Sequence, residues 1–243
     1  MQALAERPGA SPTPDMPAPP AAAPGHGAHP APCGLRLREF QPADRAALVA
    51  MHRDPRVRAL LVDDMPLDDP RVAGLFIERM QAYYRRHEGL GIWCAEHWAP
   101  ALSAAELADP QVRASLSDHA LQQLSQPRPR FAGWFNLMRM ADDPDRIEIG
   151  CRLLPAYWGS GLVHQGGELL LARAFEELRL PRLWAACHPA HRPVQHVLRT
   201  LGFVDDGERP CDGAPARWFV MPAQAWPAVR DTPRRLRLRQ ALR

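Results

Sequence analysis

The chain has 243 residues, of which 46% are hydrophobic and 23% are charged, and these proportions exclude a collagen, a coiled coil and a wholly disordered polymer. No stretch reaches the roughly 18 uninterrupted apolar residues of a membrane span, and no basic region followed by an apolar run opens the sequence, so we expect a cytoplasmic protein. The formal net charge is +3, and the basic surplus lies in residues 230–243, which carry six arginines against Asp231.

The N-terminal segment is rich in proline and alanine, with nine of each in residues 1–34. It has few large apolar residues whose burial could offset the entropy lost on ordering, so we expect it to be disordered. The alternation in LRLREF then predicts a strand from Leu35, and Pro42 opens a helix that ends near Arg53. Apolar residues at spacings of three and four predict a second helix over residues 68–87.

The middle of the chain predicts a three-stranded meander with an insertion. The three strands are residues 89–96, 130–140 and 146–153. The insertion, residues 98–129, has a helix-like centre and is longer than a hairpin needs. The later predicted elements are a helix after residue 161, a strand at 182–187, a helix at 190–201, strands at 203–207 and 217–221, and an Arg-rich tail at 223–243.

The segment from Ile147 to Val163 carries the most informative motif. A strand, IEIGCRLL, is followed by a break at Pro155 and then by Trp158-Gly159-Ser160-Gly161, which leads directly into an amphipathic helix. Glycines let backbone amides approach a ligand, and a helix start adds unsatisfied N–H groups and the positive end of the helix dipole. The combination favours a phosphate or diphosphate, with ordinary strand-turn-helix packing as the alternative.

The sequences IEIGCRLLPAYWGSGLVHQGGELLLARAFEEL and LWAACHPAHRPVQHVLRTLGF resemble the acetyl-CoA-binding and closing motifs of GNAT N-acetyltransferases. The opening LRLREFQPADRAALVAMHRDPRV is similar to the branch that acetylates the N-termini of ribosomal proteins. The resemblance covers about residues 35–222, apart from the insertion. It implies an α+β fold, with a mostly antiparallel twisted sheet of six to seven strands, about four helices and an inserted helix between the second and third strands.

The resemblance also implies a binding site for acetyl-CoA as co-substrate. The backbone N–H groups that would hold its diphosphate belong to Trp158, Gly159, Ser160, Gly161, Leu162 and Val163. The strand from Glu148 to Leu153 would separate from its neighbour to admit the pantetheine arm. The N–H groups of Cys151, Arg152 and Leu153 would stabilise the negative charge that develops on the thioester oxygen.

Two side chains are candidates for catalysis. Glu148 is the candidate base, directly or through water, because family members often place a carboxylate on this strand, and an exposed residue on an alternating strand is the alternative. His191 could contact the cofactor or protonate the thiolate, and exposure to water at a helix start is its alternative. Relatives usually carry a tyrosine as acid where this chain has Leu198, and Val163 could crowd the diphosphate turn.

Two other kinds of site are disfavoured. A hydrolase nucleophile at Ser160 would need glycines two residues away on either side, whereas here they are adjacent. The five cysteines are odd in number and form no CxxC pair, which argues against disulfides and structural zinc. A metal site at Cys187, His188, His191 and His196 would have a spacing unlike that of zinc sites, so no metal is predicted.

Two functional hypotheses follow. In the first, the protein transfers an acyl group from acetyl-CoA to the amine of a protein N-terminus or a small molecule, in a ternary complex. In the second, it is a degenerate, non-catalytic acyl-CoA-binding module that engages a partner. The Arg-rich tail could contact RNA, the ribosome or an anionic membrane, or could simply be a solvated terminus.

Overall fold

The computed structural model describes residues 34–63, 65–99, 102–125, 128–140, 143–211 and 213–241. The expectation of disorder for the proline-rich N-terminal segment falls outside these residues, apart from Gly34. Within them, no helix is both long and apolar enough to cross a membrane.

Seven strands form one mixed sheet with the order β1-β2-β3-β4-β5-β7-β6. Every neighbouring pair is antiparallel except β4 and β5, which are parallel. The strands β2, β3 and β4 form the predicted meander, and the α+β fold with a mostly antiparallel sheet is confirmed. The strand bounds are β1 Gly34–Arg38, β2 Gly91–Ala99, β3 Arg128–Arg139, β4 Ile147–Leu153, β5 Arg182–Cys187, β6 Val204–Glu208 and β7 Arg217–Pro222.

The described residues form ten α-helical segments, more than the four or so that were expected. Their bounds are α1 Arg45–Arg53, α2 Pro55–Arg58, α3 Pro70–Arg86, α4 Ala104–Ala108, α5 Pro110–Ser115, α6 Asp118–Leu124, α7 Leu162–Ala172, α8 Arg192–Thr200, α9 Trp226–Asp231 and α10 Arg234–Gln240. Most of the excess comes from the insertion and from the segment after β7. The last turn of α7 continues as a π-helical turn, Arg173–Glu177.

The insertion contains three short helices instead of one because its sequence contains three helix N-caps. The side chains of Ser103, Asp109 and Ser117 each accept a hydrogen bond from a backbone N–H in the first turn of α4, α5 and α6. Pro110 follows Asp109 directly and cannot donate a backbone N–H to a continuing helix. Each cap therefore begins a new helix.

The sheet separates two hydrophobic clusters. The larger one joins α7, α8 and α9 to one face of the sheet and includes Phe135, Ile149, Leu171 and Phe219. The smaller one joins α1 and α3 to the other face through residues such as Phe76 and Trp134. Because successive side chains of a strand point to opposite faces, β4 contributes Ile147, Ile149 and Leu153 to the larger cluster and presents its even-numbered residues to the α1/α3 side.

Gly166 lets α7 pack directly on the sheet. A Cβ on Gly166 would stand 2.1 Å from Cζ of Phe135, whose ring is fully buried. We predict that Gly166→Ala lowers the free energy of unfolding by about 3 kcal/mol, because the crowded core must shift. The matched control is Gly74→Ala in α3, where the nearest atom is 3.7 Å away on a flexible arginine and a gain of about 0.5 kcal/mol is expected. Urea unfolding of both variants checks this, and equal effects would contradict it.

Candidate active site

The strands β4 and β5 pair at only one described position, Glu148 with Trp184. Beyond it, β4 stays paired with β3 as far as Leu153, and β5 stays paired with β7 as far as Cys187. Each strand is therefore held on its outer side while the inner sides separate. Because the two strands are parallel, their carboxyl ends open at the same edge of the sheet, which is where ligands bind in such arrangements.

The backbone amides of β4 alternate between β3 and this opening. Met140 donates to the carbonyl of Arg146, and Leu154 donates to the carbonyl of Ala132, at the two ends of the β3–β4 pairing. Even-numbered residues of β4 therefore direct their backbone polar groups to β3, and odd-numbered residues direct theirs to the β5 side. The N–H groups of Cys151 and Leu153 consequently face the opening. Arg152, predicted with them, directs its N–H to β3.

The loop before α7 presents further backbone N–H groups at the same edge. Gly159 and Gly161 have φ angles of +72° and +85°, a left-handed conformation that favours glycine. A Cβ at Gly159 would meet no atom within 4 Å, so this conformation, and not crowding, is the reason for glycine there. Within the described part of the chain, the N–H groups of Gly159, Gly161 and Val163 have no acceptor. Of the six N–H groups predicted, these three are therefore without an acceptor where the helix dipole is positive, whereas those of Trp158, Ser160 and Leu162 have acceptors inside the loop.

Side chains of this loop occupy part of the predicted site. The hydroxyl of Ser160 donates to the carbonyl of Tyr157 at 2.6 Å and accepts a long hydrogen bond of 3.4 Å from the N–H of Leu162. The indole N–H of Trp158 donates to the carbonyl of Leu153 at 2.9 Å, although the Trp158 side chain is otherwise exposed. The side chain of Val163 is partly buried and packs against the larger hydrophobic cluster.

The candidate base Glu148 lies at the closed end of the opening, at the last pairing between β4 and β5, and is partly buried. By strand alternation its side chain shares a face with Gly150 and Arg152. The amide of Asn136 covers Gly150, since a Cβ there would be 2.7 Å from its Oδ1. This face looks toward α1 and α3, on the opposite side from α7.

The Arg152 side chain is buried in a polar cluster on that face. Its Nη2 donates to Oδ2 of Asp63 at 2.6 Å, its Nη1 donates to Nε2 of His52 at 2.6 Å, and its guanidinium lies 4.5 Å from the ring centroid of Trp134. The Nδ1–H of His52 donates to the carbonyl of Leu48 at 2.8 Å. Since a guanidinium cannot accept a hydrogen bond, His52 must be the neutral tautomer with its proton on Nδ1.

His52 makes stability depend on pH. Burial, with Arg152 beside it, lowers the pKa of His52 from 6.5 to about 4. Between these values the unfolded chain binds a proton that the folded chain excludes, so the free energy of unfolding falls as pH falls, and the effect levels off below pH 4. We predict that the stability difference between the wild type and His52→Gln shifts by about 2 kcal/mol between pH 7 and pH 4.5. Urea titrations at both pH values measure it, and a constant difference would contradict it.

The second catalytic candidate, His191, lies on the other side of the opening, in the loop after β5 where α8 begins. It is half-buried, and its Nδ1 is buried without a hydrogen-bond partner among the described residues. Burial, followed by the neighbouring His188, lowers the pKa of His191, so the imidazole is neutral near pH 7. Leu198 is packed in the larger cluster.

Several residues at this site had no recognisable signal in the sequence. His52, Asp63 and Asn136 belong to other elements and reach the face of Glu148 only in the folded chain. No group of three or more metal-ligating side chains occurs within the described ranges. A cavity of about 760 Å³ lies elsewhere, lined by Leu37, Arg38, Trp93 and Arg173 among others, and includes none of the predicted site residues.

A family model described as the GNAT acetyltransferase domain matches residues 34–204. The chain belongs to this family. GNAT acetyltransferases use acetyl-CoA, so acetyl-CoA is the co-substrate, and the three unpartnered N–H groups before α7 suit its diphosphate. The match ends before β7 and the C-terminal helices, so it does not include the Arg-rich segment.

Solved structures with the same fold share little sequence with this chain. A GNAT-family acetyltransferase from Bacillus anthracis is 15% identical, with a TM-score of 0.53, and covers 79% of this chain and 96% of its own. The ribosomal-protein-S5-alanine acetyltransferase from Vibrio fischeri is 14% identical, with a TM-score of 0.56 and coverage of 79% and 94%. The spermidine N-acetyltransferase from Vibrio cholerae, in complex with CoA and spermine, is 13% identical, with a TM-score of 0.54 and coverage of 79% and 97%. These likenesses concern the fold.

Proposed function

We propose that this GNAT protein transfers the acetyl group of acetyl-CoA to a primary amine, on a protein N-terminus or a small molecule, by direct attack in a ternary complex. The observation that carries the proposal is the opening between β4 and β5. It begins at Glu148 and ends at the edge where Gly159, Gly161 and Val163 present N–H groups without acceptors. Backbone donors therefore lie along the separation of the strands, between a carboxylate at one end and a helix start suited to an anion at the other.

Each group along the opening between β4 and β5 has a proposed role. Acetyl-CoA, when bound, supplies an activated acyl carbon. The N–H groups of Gly159, Gly161 and Val163 bind the diphosphate, and the opening beside β4 accommodates the pantetheine arm. The N–H group of Cys151, which faces the opening, stabilises charge on the acetyl oxygen, and Glu148 removes the proton of the attacking amine.

His191 has a proposed role on the opposite wall of the opening. Its unpartnered Nδ1 is buried, and a buried polar atom normally finds a partner. A neutral imidazole can donate an N–H to a carbonyl of the pantetheine arm or to the departing thiolate. This role does not require the tyrosine that relatives carry where this chain has Leu198.

The acceptor is proposed to enter from the α1/α3 side of the sheet. That face carries Glu148, the amide of Asn136, and Asp63, whose side chain is 34% exposed beside Arg152. The names of the two Vibrio enzymes point to different acceptors, a ribosomal-protein alanine and a polyamine. A protein N-terminus, as in the ribosomal-protein branch, and a small amine are therefore both in the proposed substrate class.

A non-catalytic acyl-CoA-binding module is the second candidate, favoured by one observation. The position of the usual acid tyrosine is Leu198, which is buried in the core and offers no proton donor. If the module binds a partner through the Arg-rich segment, the exposed Arg239 is one side chain that could contact it. Contact with RNA or the ribosome stays a prediction.

Calorimetry followed by a turnover assay separates the two candidates. Acetyl-CoA is titrated into the full chain, and release of CoA thiol is then measured with spermidine, with peptides that begin with alanine or serine, and with their N-terminally blocked counterparts. Turnover that requires a free amine supports the acetyltransferase. Binding without turnover on any acceptor supports the module. An absence of acetyl-CoA binding contradicts both.

A further inference from the structure

The C-terminal helix α10 places an arginine beside the glycine loop of the proposed diphosphate site. A Cβ on Gly161, the residue that caps α7, would lie 3.8 Å from Nη1 of Arg234. Arg234 is 30 positions beyond the end of the GNAT family match at residue 204. The tertiary structure therefore brings to this site a cation from outside the matched domain.

The guanidinium of Arg234 is already oriented. Its Nη2 donates to Oε2 of Glu168 at 2.6 Å, and its Nε donates to Oε1 of the same carboxylate at 3.3 Å. Glu168 lies on α7, the helix whose N-terminus forms the site. The anchoring carboxylate therefore belongs to the same helix as the N–H of Val163, and Gly161 is the N-cap of that helix. Because both arms of the fork are already held, Arg234 loses little further freedom on binding an anion.

The charge balance around Glu168 favours an additional anion. This single carboxylate pairs with both Arg234 and Arg237. Arg237 is buried and also donates to the carbonyls of Thr200 and Thr232, so its position is fixed. Burial, followed by the charge of Arg234, lowers the pKa of His164 in the same cluster, which keeps that imidazole neutral. One positive charge is left over beside the positive end of the α7 dipole.

One nitrogen of Arg234 remains available. Nε and Nη2 are used by Glu168, whereas Nη1 has no acceptor among the described residues. This is the nitrogen that lies nearest to Gly161. Arg234 is partly exposed, at 34% of its side chain, so a ligand can reach it.

Resting on the proposed function, we propose that Arg234 binds the diphosphate of acetyl-CoA through Nη1, together with the N–H groups of Gly159, Gly161 and Val163. Glu168 acts as a positioning residue that holds the guanidinium. A charge-assisted hydrogen bond to a phosphate oxygen adds to the backbone donors a contact that depends on the α10 helix. Docking of the Arg-rich C-terminal segment and affinity for the nucleotide are then coupled.

The test is calorimetric binding of CoA and of 3′-dephospho-CoA to the full chain. Both ligands carry the diphosphate, and only CoA carries the 3′-phosphate. Arg234→Gln is expected to raise the dissociation constant of both ligands by about tenfold and to the same degree. Arg234→Lys keeps the charge but loses the planar fork, so its dissociation constants are expected to lie between those of the wild type and Arg234→Gln. An intermediate value shows that the charge at this position contributes to binding.

The matched control is Arg235→Gln, which removes the same charge from an exposed neighbouring position on α10 and is expected to change affinity by less than about twofold. An equal loss in Arg235→Gln, or unchanged affinity in Arg234→Gln, overturns the proposal. A loss confined to CoA also overturns it, because the contact would then be with the 3′-phosphate. If the wild type does not bind CoA, the proposed function fails together with this inference. If the wild type binds CoA and Arg234→Gln binds it equally well, only this inference fails.

Discussion

Gly161→Val is expected to weaken CoA binding by at least about 100-fold. The φ of +85° at Gly161 is strained for any residue with a Cβ and most strained for a β-branched one, so the loop must change shape. The valine side chain would also point into the space beside Arg234 Nη1, where the diphosphate is proposed to bind. Loss of several charge-assisted hydrogen bonds together accounts for an effect of this size. Calorimetry with CoA measures it.

Gly207→Val is the matched control for backbone strain. Gly207 lies in β6, also has a φ of +85°, and a Cβ there would meet no atom within 4 Å. Both variants are expected to lose about 1–2 kcal/mol of stability from the same conformational cost. Only Gly161→Val should lose affinity for CoA. Similar CoA affinity in the two variants would remove the glycine loop from the binding site.

Glu148→Gln is expected to lower kcat by about 100-fold while changing the dissociation constant of CoA by less than about twofold. The amide keeps the size of the side chain but cannot take a proton from the amine. Glu148 stands at the closed end of the β4–β5 opening, away from the diphosphate loop at the other end of β4. The expected separation of turnover from binding follows from that distance.

Thiol release with the best acceptor, measured across a range of pH, tests the prediction for Glu148. Glu78→Gln, an exposed carboxylate on α3, is the control and should leave both constants unchanged. Turnover in Glu148→Gln within about threefold of the wild type would discard Glu148 as base and leave the acetyltransferase proposal standing.

The main elements of the fold could be predicted from the sequence because their signals are local. Alternating residues marked β1, the spacing of Val72, Phe76 and Met80 marked α3, and the Trp158–Gly161 motif marked the turn into α7. The helical composition of the insertion predicts an inserted helix. In the structure, Asp109 caps a new helix and Pro110 follows it directly, so the helical region is divided. This capping signal is present in the sequence but is weaker than the helical composition of the region.

The side-chain partners of the site could not be predicted in the same way. Arg152 was expected to contribute a backbone N–H, yet its amide faces β3 and its side chain binds His52 and Asp63. The alternative for His191 is exposure to water, and the structure buries its Nδ1. Both differences depend on which neighbours the folded chain supplies.

The sequence by itself determined the order of helices and strands and the glycine loop before α7, because periodicity, caps and left-handed glycines act over a few neighbouring residues. Only the tertiary structure decided that β4 and β5 separate after Glu148, that Arg152 pairs with a carboxylate 89 positions away, and that Arg234 lies beside Gly161. Such contacts join residues that are distant in the chain, so patterns among neighbouring residues in the sequence cannot predict them.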